Sequence, residues 1–222
     1  VRFENNQLVA GDIRLDWADF IQKAYMNRIA LSSSGFYATP NIYYDHAKGQ
    51  GHPFLYYANG AACSEVVLDT LTGEYRVLRT DILHDAGQSL NPEIDIGQIE
   101  GGFVQGMGWL TTEELVYSDQ GRLLTTGPAT YKIPAVSDMP PDLRVNLLAN
   151  SPNKEATVFR SKAVGEPPLM LGIAVWSALR DAVASLTDYR YSPPLDTPAT
   201  PERMLAAVTA ARQWALAEQE AV

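Results

Sequence analysis

Glu166 is the side chain best placed to do chemistry, because it stands on the corner Lys162-Ala163-Val164-Gly165-Glu166-Pro167-Pro168, just ahead of an apolar run from Leu169 to Leu179. Consecutive prolines lack amide hydrogens and fix φ, which suits the first turn of a helix, where those donors have no intrahelical partner. A carboxylate at such a start is either a general base on rigid backbone or an ordinary helix-terminus anion favoured by the macrodipole. Gln98, inside a glycine-rich helical pattern, is the second candidate. His84-Asp85 is either an acid–base pair or a structural hydrogen-bonding site at a strand end. The sequence holds no phosphate loop ending in Gly-Lys-Ser/Thr and no Gly-x-Ser-x-Gly elbow, and the glycines near Gly101 do not follow a strand as a dinucleotide fingerprint requires. His46, His52 and His84 lack partners at metal-binding helical spacing. Cys63, the single cysteine, cannot form an internal disulfide and is expected as a buried thiol in a strand.

The elements that must carry these residues follow from periodicity. Leu169, Gly172, Ile173, Trp176, Leu179 and Val183 give the three-and-four spacing of a buried helical stripe. A second helix is expected over 94–110, with Ile96, Ile99, Phe103, Met107 and Leu110 on one side. It carries Gly97, Gly101, Gly102, Gly106 and Gly108, each costing roughly 0.5–1 kcal/mol relative to Ala. Something must approach that backbone closely, either another packed element or a bulky cofactor. Face-to-face packing of the two helices would put Glu166 and Gln98 in one site.

Elsewhere the pattern predicts a helix over 16–31 and a hairpin from 54–69 and 75–83. It also predicts a second hairpin from 113–117 and 122–125, a strand over 143–149, a proline-rich irregular segment over 127–141, and a docking helix over 201–218 after the connector 192–201. Trp176 and the aromatics of 54–57 are expected in the core. Mixed strands and helices make the fold class α+β. With 222 residues and a net charge of -9, the chain can bury a substantial core and is a poor partner for a nucleic-acid backbone. The longest apolar stretch falls short of the roughly 20 residues of a membrane span. The amino end has neither an initiator Met nor an apolar signal core, and the chain is expected to be a piece of a longer polypeptide.

Four runs carry a resemblance. They are Asn91-Pro92-x-Ile94-Asp95-Ile96-Gly97-Gln98-Ile99-Glu100-Gly101-Gly102, Phe103-Val104-Gln105-Gly106-Met107-Gly108, Thr130-Tyr131-Lys132-Ile133-Pro134 and Ser161-Lys162-Ala163-Val164-Gly165-Glu166-Pro167-Pro168. In this order and spacing, over about 33–184, they resemble the xanthine dehydrogenase and aldehyde oxidase family, in the carboxy-terminal part of its molybdenum-binding subunit. The resemblance implies the second half of a molybdopterin-binding domain, with an amino-terminal helical lead-in (1–32), a molybdenum-cofactor-binding region (33–190) and a connector with a carboxy-terminal helix (191–222).

It also implies that Glu166 is the general base beside molybdenum, taking the proton of the hydroxyl that attacks an electron-poor purine carbon. Gly165 brings its backbone near the cofactor, Gln98 hydrogen-bonds the molybdenum-pterin end, and none of these ligates the metal directly. The pterin would lie against the glycine helix. A helix start beside Glu166 favours its ionised form, whereas burial near the cofactor opposes it. The same resemblance implies [2Fe-2S] clusters and FAD elsewhere in the assembly and NAD as electron acceptor. The partners it implies are the remaining segments of the molybdenum subunit, an iron-sulfur/FAD subunit and a purine substrate, in a cytoplasmic oligomer of heteromers that oxidises hypoxanthine or xanthine to uric acid. The purine-clamping residues of the family lie upstream of this sequence. An aldehyde oxidase or other N-heterocycle hydroxylase is therefore the alternative, and a non-catalytic assembly module is the alternative of another class.

Overall fold

Tight turns fold the first residues into a three-stranded antiparallel meander, β1 (Arg2–Glu4), β2 (Gln7–Ala10) and β3 (Ile13–Asp16). Asn5 and Asn6 both take positive φ, 49° and 61°, the pair of left-handed residues that a two-residue hairpin turn demands. The structure, a computed structural model, describes residues 1–220 and divides into two units, Val1–Leu55 and the residues from Tyr56 onward. In the first unit α1 (Trp17–Met26) follows β3, and Phe3 meets Trp17 edge to face with ring centroids 5.1 Å apart. The helix expected over 16–31 stops early, because Asn27 closes it and Arg28 turns left-handed at φ 58°. The lead-in is thus strand as well as helix, and a short hairpin of β4 (Tyr43–Asp45) and β5 (Gln50–His52) completes this unit.

In the second unit β6 (Gly60–Leu68) and β7 (Tyr75–His84) form the expected hairpin, and β8 (Asp142–Leu147) lies parallel to β7 on its other side. Helix α2 (Pro92–Thr111) starts where Asn91 Oδ1 accepts the Ile94 amide at 3.3 Å, an N-cap just before a proline at the first helical position. The next helical segment opens as a 3₁₀ turn (Pro167–Gly172) before α3 (Ile173–Ala184), and α4 (Pro201–Glu220) docks by Met204, Ala207, Val208 and Ala211. Ile82, Ile99, Phe103, Val175, Leu179, Val183, Met204 and Val208 meet in one core. Helices packed on a mixed sheet make the unit α+β, as expected.

Several expectations change. The 3₁₀ turn has three residues per turn rather than 3.6, and this shifts the buried stripe to Gly172, Val175, Leu179 and Val183, leaving Ile173 exposed. Residues 113–125 do reverse at the expected turn, with Ser118 N donating to Arg122 O at 2.9 Å and Leu124 N to Val116 O at 2.8 Å, but they hold only the isolated bridge of Tyr117 with Leu123 and form no pair of strands. Leu115, Val116 and Tyr117 are exposed, so no apolar face holds such a pair together. Cys63 is exposed, on the edge strand β6. Trp176 packs against the core, but Phe54 and Tyr57 are exposed. The stretch Pro167–Thr187, 21 residues at mean hydropathy 1.5, is long and apolar enough to cross a membrane. Its inner residues Val175, Leu179 and Val183 are fully buried against the rest of the unit, while Met170, Ile173 and Leu186 are exposed.

Candidate functional site

Packing through missing side chains brings the two candidate segments together. A Cβ at Gly106 would collide with the Leu169 carbonyl oxygen, and one at Gly102 would stand 2.9 Å from Pro168 Cβ. The 3₁₀ turn after Glu166 is thereby laid directly on α2. Gly108 in turn faces the Pro134 ring and the Glu113 carboxylate. Close protein packing, rather than a cofactor, accounts for these three glycines. Gly97 and Gly101 differ: a Cβ there would meet nothing within 4 Å, so the outer face of α2 around Gln98 is open.

Gln98 Oε1 lies 3.7 Å from where a Gly165 Cβ would stand, which sets Gln98, Gly165 and the adjoining Glu166 in one neighbourhood. All three are exposed. Glu166 occupies the N-cap position of the 3₁₀ turn, yet its carboxylate makes no capping bond. Its backbone carbonyl accepts the Leu169 amide at 3.1 Å. The Gln98 carboxamide and the Glu166 carboxylate have no hydrogen-bond or ion-pair partner among the described residues.

Upstream of Glu166 the chain is tied to the end of β7. Gln88 N donates to Arg160 O and Lys162 N to Ala86 O, both at 2.9 Å, and Ala163 N donates to Tyr56 Oη at 3.0 Å. Lys162 Nζ bonds Asp85 Oδ2 at 2.5 Å and the Tyr57 carbonyl at 3.0 Å, and this ion pair is nearly buried. Burial opposes the Asp85 charge, but the bond from Lys162, the Gly87 amide and the ammonium's field together hold its pKa below the usual carboxylate range. His84 is fully buried, and neither ring nitrogen has a hydrogen-bond partner among the described residues. Burial pushes its pKa down, against the upward pull of Asp85 and Asp95 and helped by Lys162. His84-Asp85 is therefore not one functional pair: Asp85 faces Lys162, and His84 stands as a neutral ring in the core. Sequence reasoning missed the Lys162–Asp85 pair because its members are 77 positions apart, and no local spacing signals it.

Among the described residues no group of three or more His, Cys, Asp or Glu is arranged to hold a metal ion. The features present suit a large polar group better: an open glycine-lined helix face, a carboxamide offering donors and an acceptor, and an unspent carboxylate on pinned backbone. A molybdopterin fits these features.

Residues 1–140 match the molybdopterin cofactor-binding domain family, and the chain belongs to that family. Gln98 lies inside the matched region and Glu166 beyond it. The sequence is 50% identical over 197 residues to the xanthine dehydrogenase/oxidase of Felis catus, covering 85% of this chain and 14% of that protein. It is 50% identical over 189 residues to the xanthine dehydrogenase of Dictyostelium discoideum, covering 81% and 14%. Among solved structures, quinoline 2-oxidoreductase from Pseudomonas putida 86 is similar at a TM-score of 0.62 and 34% identity, over 68% of this chain and 19% of that one. The aldehyde oxidoreductase of Desulfovibrio desulfuricans is similar at 0.59 and 29%, over 72% and 16%. This chain spans about 14% of the length of the curated relatives it matches.

Proposed function

We propose that this chain is the carboxy-terminal part of a molybdenum hydroxylase that oxidises hypoxanthine and xanthine to uric acid, supplying Glu166 as general base and part of the molybdopterin site. The observation that carries the reading is the Glu166 carboxylate itself: exposed, spent on no cap, and beside Gln98 on backbone tied at both ends. The similarity to relatives named xanthine dehydrogenase supports the substrate. When bound, the cofactor supplies the two-electron oxidation. Glu166 takes the proton from the attacking hydroxyl onto a carboxylate oxygen, which raises the nucleophilicity of that oxygen as it reaches the purine carbon, and releases the proton to solvent between turnovers. Gln98 offers its amide N–H and carbonyl oxygen to the pterin end, and Gly165 lets backbone approach where a side chain would intrude. The cofactor-contacting region falls within 33–190.

The remaining segments of the subunit complete the purine pocket. [2Fe-2S] clusters and FAD held in other parts of a cytoplasmic oligomer of heteromers would carry the electrons away, with NAD as acceptor. The fold shared with a quinoline and an aldehyde oxidoreductase supports the second reading, another N-heterocycle or an aldehyde as substrate. The test is to purify the native protein with its partners, measure molybdenum per chain, and add xanthine without oxygen. Near-stoichiometric molybdenum with bleaching of flavin and iron-sulfur absorbance supports the first reading. Bleaching only by quinoline or an aldehyde supports the second, and a loaded complex that bleaches with none of these is an assembly module.

A further inference from the structure

The strap that leads to Glu166 is held by a device unrelated to proton transfer itself. Ahead of the 3₁₀ turn, Ser161 forms an isolated bridge with Gly87 and residues 162–165 have no regular secondary structure. Ser161 is tied to the loop before it, its carbonyl accepting from Asn153 Nδ2 and Thr157 Oγ1, and beyond Ser161 the strap's polar ties to the rest of the unit are at Lys162 and Ala163. Lys162 N bonds Ala86 O, Lys162 Nζ bonds both Asp85 Oδ2 and Tyr57 O, and Ala163 N bonds the Tyr56 hydroxyl. Gly165 follows with no side chain to anchor it. Asp85 is itself fixed, its Oδ1 accepting the Gly87 amide at 2.9 Å and its own amide donating to Asn59 O at 2.8 Å.

The Lys162 side chain retains only 12% of its exposure and that of Asp85 5%. The ammonium is therefore spent inside the unit and is not a cation offered to a ligand. Desolvating two charges generally costs as much as their attraction returns, so such a pair is a poor source of stability compared with apolar packing. What it does supply is a unique location for the chain that carries it. Downstream, Gly102 and Gly106 seat Pro168 and Leu169 on α2. The Glu166 corner is thus clamped on both sides.

We infer that Lys162 is a positioning residue for Glu166: bridging Asp85 and the Tyr57 carbonyl, it fixes the strap from which the catalytic carboxylate projects. This inference rests on the reading of Glu166 as the base. A displacement of about 1 Å at a reacting group costs on the order of 100-fold in rate.

The test uses the full-length loaded enzyme with Lys162→Met and, because that change strands a buried carboxylate, the double variant Lys162→Met/Asp85→Asn. Glu166→Gln is the reference. Turnover is expressed per bound molybdenum, and hydrogen exchange of the amides of residues 161–166 and of Leu169 is followed in the same proteins without cofactor. Both Lys162 variants are expected to lose roughly 10- to 100-fold in kcat per molybdenum with KM changed by less than about threefold. Exchange should quicken in the strap and stay at the parent rate in α2. A purely structural role would lower stability or molybdenum content while leaving kcat per molybdenum intact. That outcome in either variant, or an unchanged strap, overturns the inference. With Glu166→Gln inactive and Lys162→Met fully active, only the positioning role falls. With Glu166→Gln active, the base assignment falls and takes the inference with it.

Discussion

The same substitution at two glycines of α2 is expected to change stability in opposite directions. At Gly101 an added methyl meets nothing within 4 Å, so Gly101→Ala gains only helix propensity, about 0.8–1 kcal/mol. At Gly106 the methyl would run into the Leu169 carbonyl oxygen and stand 3.0 Å from its carbon and 3.4 Å from Gly172 Cα. These are backbone atoms of a turn already packed on α2, and no rotamer change relieves the overlap. Overpacking costs about 1–3 kcal/mol, and a rigid neighbour puts this case in the upper half. Setting the propensity gain against it leaves Gly106→Ala destabilising by about 1–2 kcal/mol. Local opening free energies of the α2 amides, from native-state hydrogen exchange on the intact protein without cofactor, read both changes directly. Greater protection in Gly106→Ala, as in Gly101→Ala, would refute the packing of the 3₁₀ turn through the glycine gap.

Two further outcomes follow from the core. Phe103 is fully buried at the centre of the second unit, so Phe103→Ala should cost about 3–5 kcal/mol by the same exchange measurement; a loss below about 1 kcal/mol would mean that the core is centred elsewhere. His84 has its pKa lowered by burial, so the unfolded chain binds the proton more readily and stability rises with pH over this window. The contribution is complete above the unfolded value of about 6.5 and is lost as pH falls from there through the folded value. His84→Leu should flatten the stability profile in that window, measured by denaturant titration at several pH values. A slope unchanged from the parent would assign it to other groups, and Asp85, whose pKa is also lowered, acts only as pH falls below about 3.9.

The periodic elements were legible because their signals are local. The alternation of β6 and β7 and the spacing from Ile99 to Leu110 each lie within one window, whereas α2 begins at Pro92, ahead of the start expected at residue 94. The glycines of α2 announced a close approach but not its partner, since nothing near Gly106 in sequence names Leu169. The same distance dependence hid the parallel pairing of β8 with β7 and the bond of Lys162 to Asp85. A two-proline start is legible as helical, but its 3₁₀ geometry turns the buried stripe from Ile173 to Val175. Cys63 shows the limit of composition: free cysteines are usually buried, yet this one sits on an edge strand and is exposed. The candidate site was legible as two separate pieces, Glu166 on its corner and Gln98 on its glycine helix, and their meeting required the packing of one turn on the other.

The central claim is that Glu166 moves a proton at a molybdopterin site, and one substitution tests it. Glu166→Gln keeps the shape of the side chain and removes the base, so in the fully assembled enzyme turnover of xanthine per bound molybdenum should fall by about 10²–10⁴-fold while molybdenum content stays at the parent level. Near-normal turnover per molybdenum in that variant would contradict the account.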